Sequence, residues 1–170
     1  MRILNYIKDI PDFPKEGIVF KDISPLLACP QAFKQVINDI CYRHVLDTPD
    51  KIVGLDARGF VFGSAVAYKL GVPFVMARKK GKLPDKSVSI DYDLEYGQNT
   101  FELQINSIQH GDNILIVDDL LATGGSVNAV HHLINKLGGR VDTLECIIEL
   151  GFLKARNDLR MQVNAQVIYE

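Results

Sequence analysis

No apolar run in this 170-residue chain reaches the roughly twenty consecutive residues that a membrane-spanning helix needs. The opening MRILNYIKDI is too broken by polar groups to be a secretory-signal core. Cysteine is scarce: Cys29, Cys41 and Cys146 are odd in number, far apart and free of any CxxC pairing. That pattern speaks against a disulfide framework or a structural zinc and suits a reducing compartment, so a cytoplasmic protein is expected. Neither GxGxxG nor GxxxxGKS/T occurs, which removes the fingerprints of dinucleotide and Walker-type sites. Charge of one sign is also lacking. A net charge of -2 gives no general pull toward nucleic acid or an anionic membrane, so neither partner is expected, and any attraction for phosphate must be local. No Ser-His-Asp or Cys-His motif compels a covalent nucleophile, and the adjacent His131 and His132 diverge on a helix, which argues against a shared metal. With no repeat, low-complexity tract or linker, residues 1–170 read as one domain.

What is present alternates between strand and helix signals. Ile3, Tyr6, Ile7 and Ile10 recur at helical spacing before Pro11 and Pro14, predicting a short amphipathic helix and then an irregular segment. Positions 31–44 carry Phe33, Val36, Ile37, Ile40 and Cys41 on one helical face. The compact apolar run 52–55 reads as a strand, and 60–70 as a helix stopped by Gly71 and Pro73. A second buried strand is expected at 74–77, followed by a basic stretch, 78–86, without periodicity and expected to be a mobile loop. Positions 87–92 and 100–105 alternate in the strand period, with Phe101, Leu103 and Ile105 on one face, suggesting a hairpin-like flap. The clearest buried strand, 114–117, precedes a helix at 126–137, a Gly138-Gly139 stop and a further strand at 141–150. This is the pattern of an α/β protein with a mainly parallel sheet flanked by helices.

The strongest chemical signal is the stretch Ile114-Leu115-Ile116-Val117-Asp118-Asp119-Leu120-Leu121-Ala122-Thr123-Gly124-Gly125-Ser126. It joins a buried strand to a helix, and such a loop points backbone N–H groups toward one place at the positive end of the helix dipole. Gly124 and Gly125 can take positive φ and curl successive amides into an anion nest, while Thr123 and Ser126 add hydroxyls. Asp118 and Asp119 would repel the same phosphate if they faced it, so they suit sugar hydroxyls or help to hold a nearby Mg²⁺. The plainer reading of a glycine pair with capping residues is a tight loop before a side-chain-capped helix.

The segment Val117-Asp118-Asp119-Leu120-Leu121-Ala122-Thr123-Gly124-Gly125-Ser126 resembles the phosphoribosyl pyrophosphate (PRPP) motif of the type I phosphoribosyltransferases. Further segments resemble the adenine-specific branch over nearly the whole chain: PDFP at 11–14, GIVFKDISP at 17–25, GLDARGF at 54–60, RKKGKLP at 78–84 and LEYG at 94–97. The resemblance implies a type I fold with a small N-terminal hood, about residues 1–30, that binds the base, and a flexible flap. It implies transfer of phosphoribose from PRPP to adenine, giving AMP and pyrophosphate in purine salvage. Ala122, Thr123, Gly124, Gly125 and Ser126 would then cradle the 5′-phosphate, and Asp118 and Asp119 would face the ribose. Val19, Phe20 and Lys21 would read adenine, largely through main chain, with Phe20 stacking; by residue type alone Phe20 is an ordinary core aromatic. Lys21 stands where relatives often have Arg. Ala57, through its backbone donor, and Arg58, Arg78, Lys79 and Lys82 would meet pyrophosphate, although by composition the four basic residues are solvated loop charges. Glu95 would act near the imidazole-side nitrogen of the purine, and Tyr96 would cover the closed site. Mg²⁺ is the implied cofactor, held mainly by PRPP without a dedicated protein cage, and a homodimer is implied. The PRPP loop by itself leaves open a different base specificity, or a PRPP-sensing regulator without turnover.

Overall fold

The structure, a computed structural model, describes residues 1–93 and 98–170. Near the N-terminus the expected amphipathic helix is only a single 3-10 turn, Ile3–Tyr6, because the chain leaves it to form a strand. That strand, β1 (Lys8–Ile10), pairs antiparallel with β2 (Phe20–Asp22) in a small separate sheet. A five-residue helix α1 (Ser24–Ala28) and the long α2 (Pro30–Arg43) follow.

The remaining elements in chain order are β3 (Lys51–Leu55), α3 (Gly59–Leu70), β4 (Phe74–Lys79), β5 (Ser87–Asp93), β6 (Gln98–Gln104), β7 (Asn113–Leu121), α4 (Gly125–Leu137), β8 (Arg140–Leu150) and β9 (Gln162–Tyr169). Helices α3 and α4 end at left-handed Gly71 and Gly138, as the stop signals require. The large sheet has the order β5-β6-β4-β3-β7-β8-β9. Neighbours from β4 through β9 run parallel, and the antiparallel β5–β6 hairpin extends the β4 edge.

Two expectations change here. Arg78 and Lys79 are the last residues of β4, paired with Glu102 and Phe101, rather than the start of a loop. The exchange of backbone hydrogen bonds with β6 outweighs their lack of apolar periodicity. Ile105 falls beyond β6 and is 42% exposed, so only Phe101 and Leu103 of the expected face are buried.

Apolar residues cover both faces of the sheet. Helices α2 and α3, with Ile3, Ile7 and Ile23 from the N-terminal segment, pack on one side, and α4 packs with the hairpin on the other. The C-terminal end of α2 is fixed by a buried carboxylate. Glu145 of β8 accepts hydrogen bonds from Arg43 at 3.0 and 2.5 Å and from Asn164 at 2.9 Å, with His44 Nε2 also 2.9 Å away. Burial pushes this carboxyl up, but those partners together outweigh burial and hold it below its ordinary range.

The strand order sets the position of any ligand. From β3 the chain turns through α3 to β4 on one side, whereas from β7 it turns through α4 to β8 on the other. The loops leaving β3 and β7 therefore diverge at the carboxyl edge, which is where open α/β sheets hold ligands.

Candidate active site

Between those diverging loops lies a cavity of about 360 Å³. Asp56, Ala57 and Arg58 come from the loop after β3, Lys79 from the end of β4, and residues 118–127 from the end of β7 through the first turn of α4.

The wall at 122–126 carries donors of the kind an anion needs. Gly124 has φ 84° and is itself the N-cap of the 13-residue α4, and no side chain caps that helix. The alternative of an ordinary capped helix start is thus not what the chain forms. Its first-turn amides have no intrahelical acceptors, and they face the cavity at the positive end of the helix dipole. Ala122, Thr123, Gly124, Gly125 and Ser126 all line it.

Opposite in character is the carboxylate pair. Asp119 is only 5% exposed and Asp118 is half-buried. Burial, and then the neighbouring Asp119 charge, raise the Asp118 carboxyl well above its ordinary range. Burial also raises Asp119, with the Arg58 charge opposing it. Arg58 Nε stands 2.8 Å from Asp119 Oδ2, yet this buried oxygen accepts no hydrogen bond. The close seat of Asp118 depends on Gly59, where an added Cβ would come within 2.8 Å of Asp118 Oδ1 and 2.9 Å of the Val117 carbonyl oxygen.

On the third side a residue that sequence reasoning left without a role organises the cations. Asp56 Oδ2 is 3.3 Å from Arg78 Nε, 3.4 Å from the Lys79 amide and 3.7 Å from Lys82 Nζ. Arg78 also donates to the Lys82 carbonyl at 3.3 Å. Asp56 thereby gathers a basic group beside the cavity. Of that group only Lys79 lines it directly, with Arg78 and Lys82 set behind on Asp56. The signal for Asp56 was its place beside Ala57 and Arg58, but its partners lie more than twenty residues away.

The hood residues border the site without lining the cavity. Arg58 makes the connection: its Cζ is 4.9 Å from the Phe20 ring centroid and its Nη1 donates to the Lys21 carbonyl at 3.5 Å. Phe20 is half-buried and makes an edge contact with Phe13 at 5.2 Å, while Val19 is 48% exposed. The Lys21 side chain turns away to Asp9 at 2.8 Å and to the face of Tyr169 at 3.8 Å. Only its backbone is left for a ligand. Glu95 and Tyr96 lie outside the described residues. His131 and His132 bond to Asn135 and Asn128 on their own helix, away from the cavity.

A family model described as a phosphoribosyl transferase domain matches residues 27–167. An adenine phosphoribosyltransferase of Carboxydothermus hydrogenoformans is 46% identical over 159 residues, 94% of each chain. The crystal structure of the adenine phosphoribosyltransferase from Thermoanaerobacter pseudethanolicus superposes with a TM-score of 0.95 at 42% identity, covering 98% of both chains. The Saccharomyces cerevisiae adenine phosphoribosyltransferase, complexed with an imino-altritol bisphosphate and adenine, gives 0.92 at 38% identity over 97% of this chain and 96% of its own. The chain belongs to the adenine phosphoribosyltransferase family. Its type I fold is a mostly parallel mixed sheet flanked by helices.

As a phosphoribosyltransferase, the chain has a donor set that fits Mg²⁺ only in one manner. Among the described residues no group of three or more His, Cys, Asp or Glu side chains could cage an ion. Two adjacent carboxylates lining the cavity suit an ion that brings its remaining ligands as water and phosphate oxygens, the usual preference of Mg²⁺.

Proposed function

We infer that this chain transfers the phosphoribosyl group of PRPP to adenine, releasing AMP and pyrophosphate in purine salvage. The observation that carries the reading is a single cavity with uncapped helix amides on one wall and the half-buried Asp118 and buried Asp119 on another. A phosphate dianion and a polyhydroxylated sugar have those opposite requirements.

In this reading Ala122, Thr123, Gly124, Gly125 and Ser126 hold the 5′-phosphate, and Asp118 and Asp119 accept from the ribose hydroxyls. The basic group gathered by Asp56, namely Arg78, Lys79 and Lys82, together with Arg58 and the Ala57 amide, receives pyrophosphate as the anomeric carbon takes on positive character. Arg58 lines the cavity while resting on Asp119 and the Phe20 ring. Adenine enters against Phe20 and takes its hydrogen bonds from the backbone of Val19 and Lys21. Asp118 and Asp119 would help PRPP to hold Mg²⁺, which would supply charge neutralisation for the leaving pyrophosphate. Glu95 is the proposed proton-handling group beside the base, and Tyr96 the cover that excludes water.

The chain acts as one phosphoribosyltransferase domain, residues 1–170, whose first thirty or so residues form the base-binding hood. The free cysteines support a cytoplasmic location, and the resemblance supports a homodimer. An assay with labelled adenine, PRPP and Mg²⁺ tests the activity: AMP must form, and hypoxanthine, guanine and orotate must be used poorly. Equal or better use of another base would overturn the specificity. Light scattering on the purified protein tests the dimer.

A further inference from the structure

We propose that Glu149 and Arg156 are positioning residues for the 122–126 loop, an ion pair that braces the phosphate cradle from behind. The inference rests on the reading that this loop holds the 5′-phosphate.

Arg156 lies in the short 3-10 turn Ala155–Asn157, between β8 and β9. It is forked onto Glu149, Nε and Nη2 each 2.6 Å from a carboxylate oxygen, and its Nη1 donates to the Val163 carbonyl at 2.8 Å. Three directed bonds fix the turn relative to β8 and β9. Glu149 is 4% exposed and sits on β8 directly opposite Leu121, the last residue of β7 before the cradle.

The fixed turn lies beside the cradle. A Cβ added to Gly124 would meet Ala155 Cβ at 3.4 Å, Leu159 Cδ2 at 3.6 Å and the Ala155 carbonyl oxygen at 3.8 Å. Ala155 and Leu159 are buried in the same core cluster as Leu121 and Val127, which flank the loop. Asn128 of α4 also reaches the Asp158 carbonyl at 3.5 Å. Glu149 thus borders the start of the loop, and the segment it anchors supports the middle.

With the Arg156 side chain 43% exposed the pair is weak grounds for stability, but a forked guanidinium fixes direction as a single-point contact does not. The cradle gains from fixed direction because a donor set misplaced by about 1 Å can lose on the order of 100-fold in effectiveness. Lysine at 156 keeps the charge and loses the fork.

The test is calorimetric titration of the full-length protein and its variants with ribose 5-phosphate and, separately, pyrophosphate. Arg156→Lys and Glu149→Gln should weaken ribose 5-phosphate about tenfold and pyrophosphate less than about twofold, a fraction of the largest positional effect. Amide exchange at 123–126 should quicken in the same variants. If either variant fails to fold, Leu159→Val, which trims the contact on Gly124 without touching the pair, should show the same selective loss. Equal losses for both ligands, or none, would overturn the inference. Thr123→Ala separates the two readings: if it weakens ribose 5-phosphate while Arg156→Lys and Leu159→Val do not, the cradle stands and the brace falls. Unchanged affinity in Thr123→Ala as well would overturn both.

Discussion

Replacing Gly59 by alanine perturbs the close approach that seats Asp118 at the cavity. The added carbon would stand 2.8 Å from Asp118 Oδ1, 2.9 Å from the Val117 carbonyl oxygen and 3.2 Å from Asp118 Cα. Carbon atoms are comfortable at about 3.5–4.0 Å, so relief of roughly half an ångström is needed. Strand β7 is held by parallel partners on both sides and yields poorly, which leaves α3 and its N-cap Arg58 to retreat. Overpacking of this kind costs about 1–3 kcal/mol, and each kcal/mol lowers Tm by roughly 2–4 °C in a domain of this size. Displacing Asp118 and Arg58 together should reduce kcat/KM by about 10–100-fold, the range expected for a misplaced binding group. The comparison is Gly63→Ala in the same helix, where the added carbon meets the Phe74 ring at 2.8 Å and no cavity-lining residue. It should lower Tm comparably while leaving kcat/KM within about threefold, because distant sites act independently. Melting curves and steady-state rates on both variants decide the matter. Equal activity in the two would show that the close approach at Gly59 does not set the site.

Other perturbations separate the roles. Glu95→Gln should depress turnover while leaving PRPP affinity within about twofold, since only the transition-state interaction is removed; full turnover would remove Glu95 from the chemistry. Asp118→Asn should weaken PRPP by about 1.5–3 kcal/mol, the range for a hydrogen bond to a charged group, as read by calorimetry. The same variant should make the ligand-free protein more stable at neutral pH. A carboxyl whose folded pKa is raised keeps its proton longer in the folded state, so its ionisation costs stability as pH rises above the ordinary value of 3.8. The gain in Tm should vanish below that pH, and a constant gain across the range would contradict the assignment. Arg43→Met leaves the fully buried Glu145 short of its two-bond partner and should cost about 3 kcal/mol in urea unfolding. Because Glu145 is held below its ordinary 4.5, the wild-type advantage should be present above that pH and lost as the solution is acidified through the folded value.

Much of the sheet was legible because its inner strands carry unbroken apolar runs: β3 and β7 are buried along most of their length. The cradle was legible for a different reason, since two glycines and two hydroxyl residues after an acidic pair have few other uses. Strand β9, reading Gln-Val-Asn-Ala-Gln-Val-Ile-Tyr, was not predicted, nor were β1 and β2 with three residues each. Such edge strands take their definition from a partner rather than from their own periodicity. The N-terminal helix was overextended because Ile3 and Ile7 are both buried, which imitates a helical face although the chain is extended from Lys8. The clamp on Asp56 could not be read at all, since two cationic side chains and the Lys79 amide converge on it only after β4 lies beside β3.

A crystal of the protein grown with AMP tests the central claim most directly. The account predicts the phosphoryl oxygens within hydrogen-bond reach of the 123–126 amides, with the ribose hydroxyls turned to Asp118 and Asp119. A phosphoryl group seated elsewhere, with that helix terminus left to solvent, would contradict it.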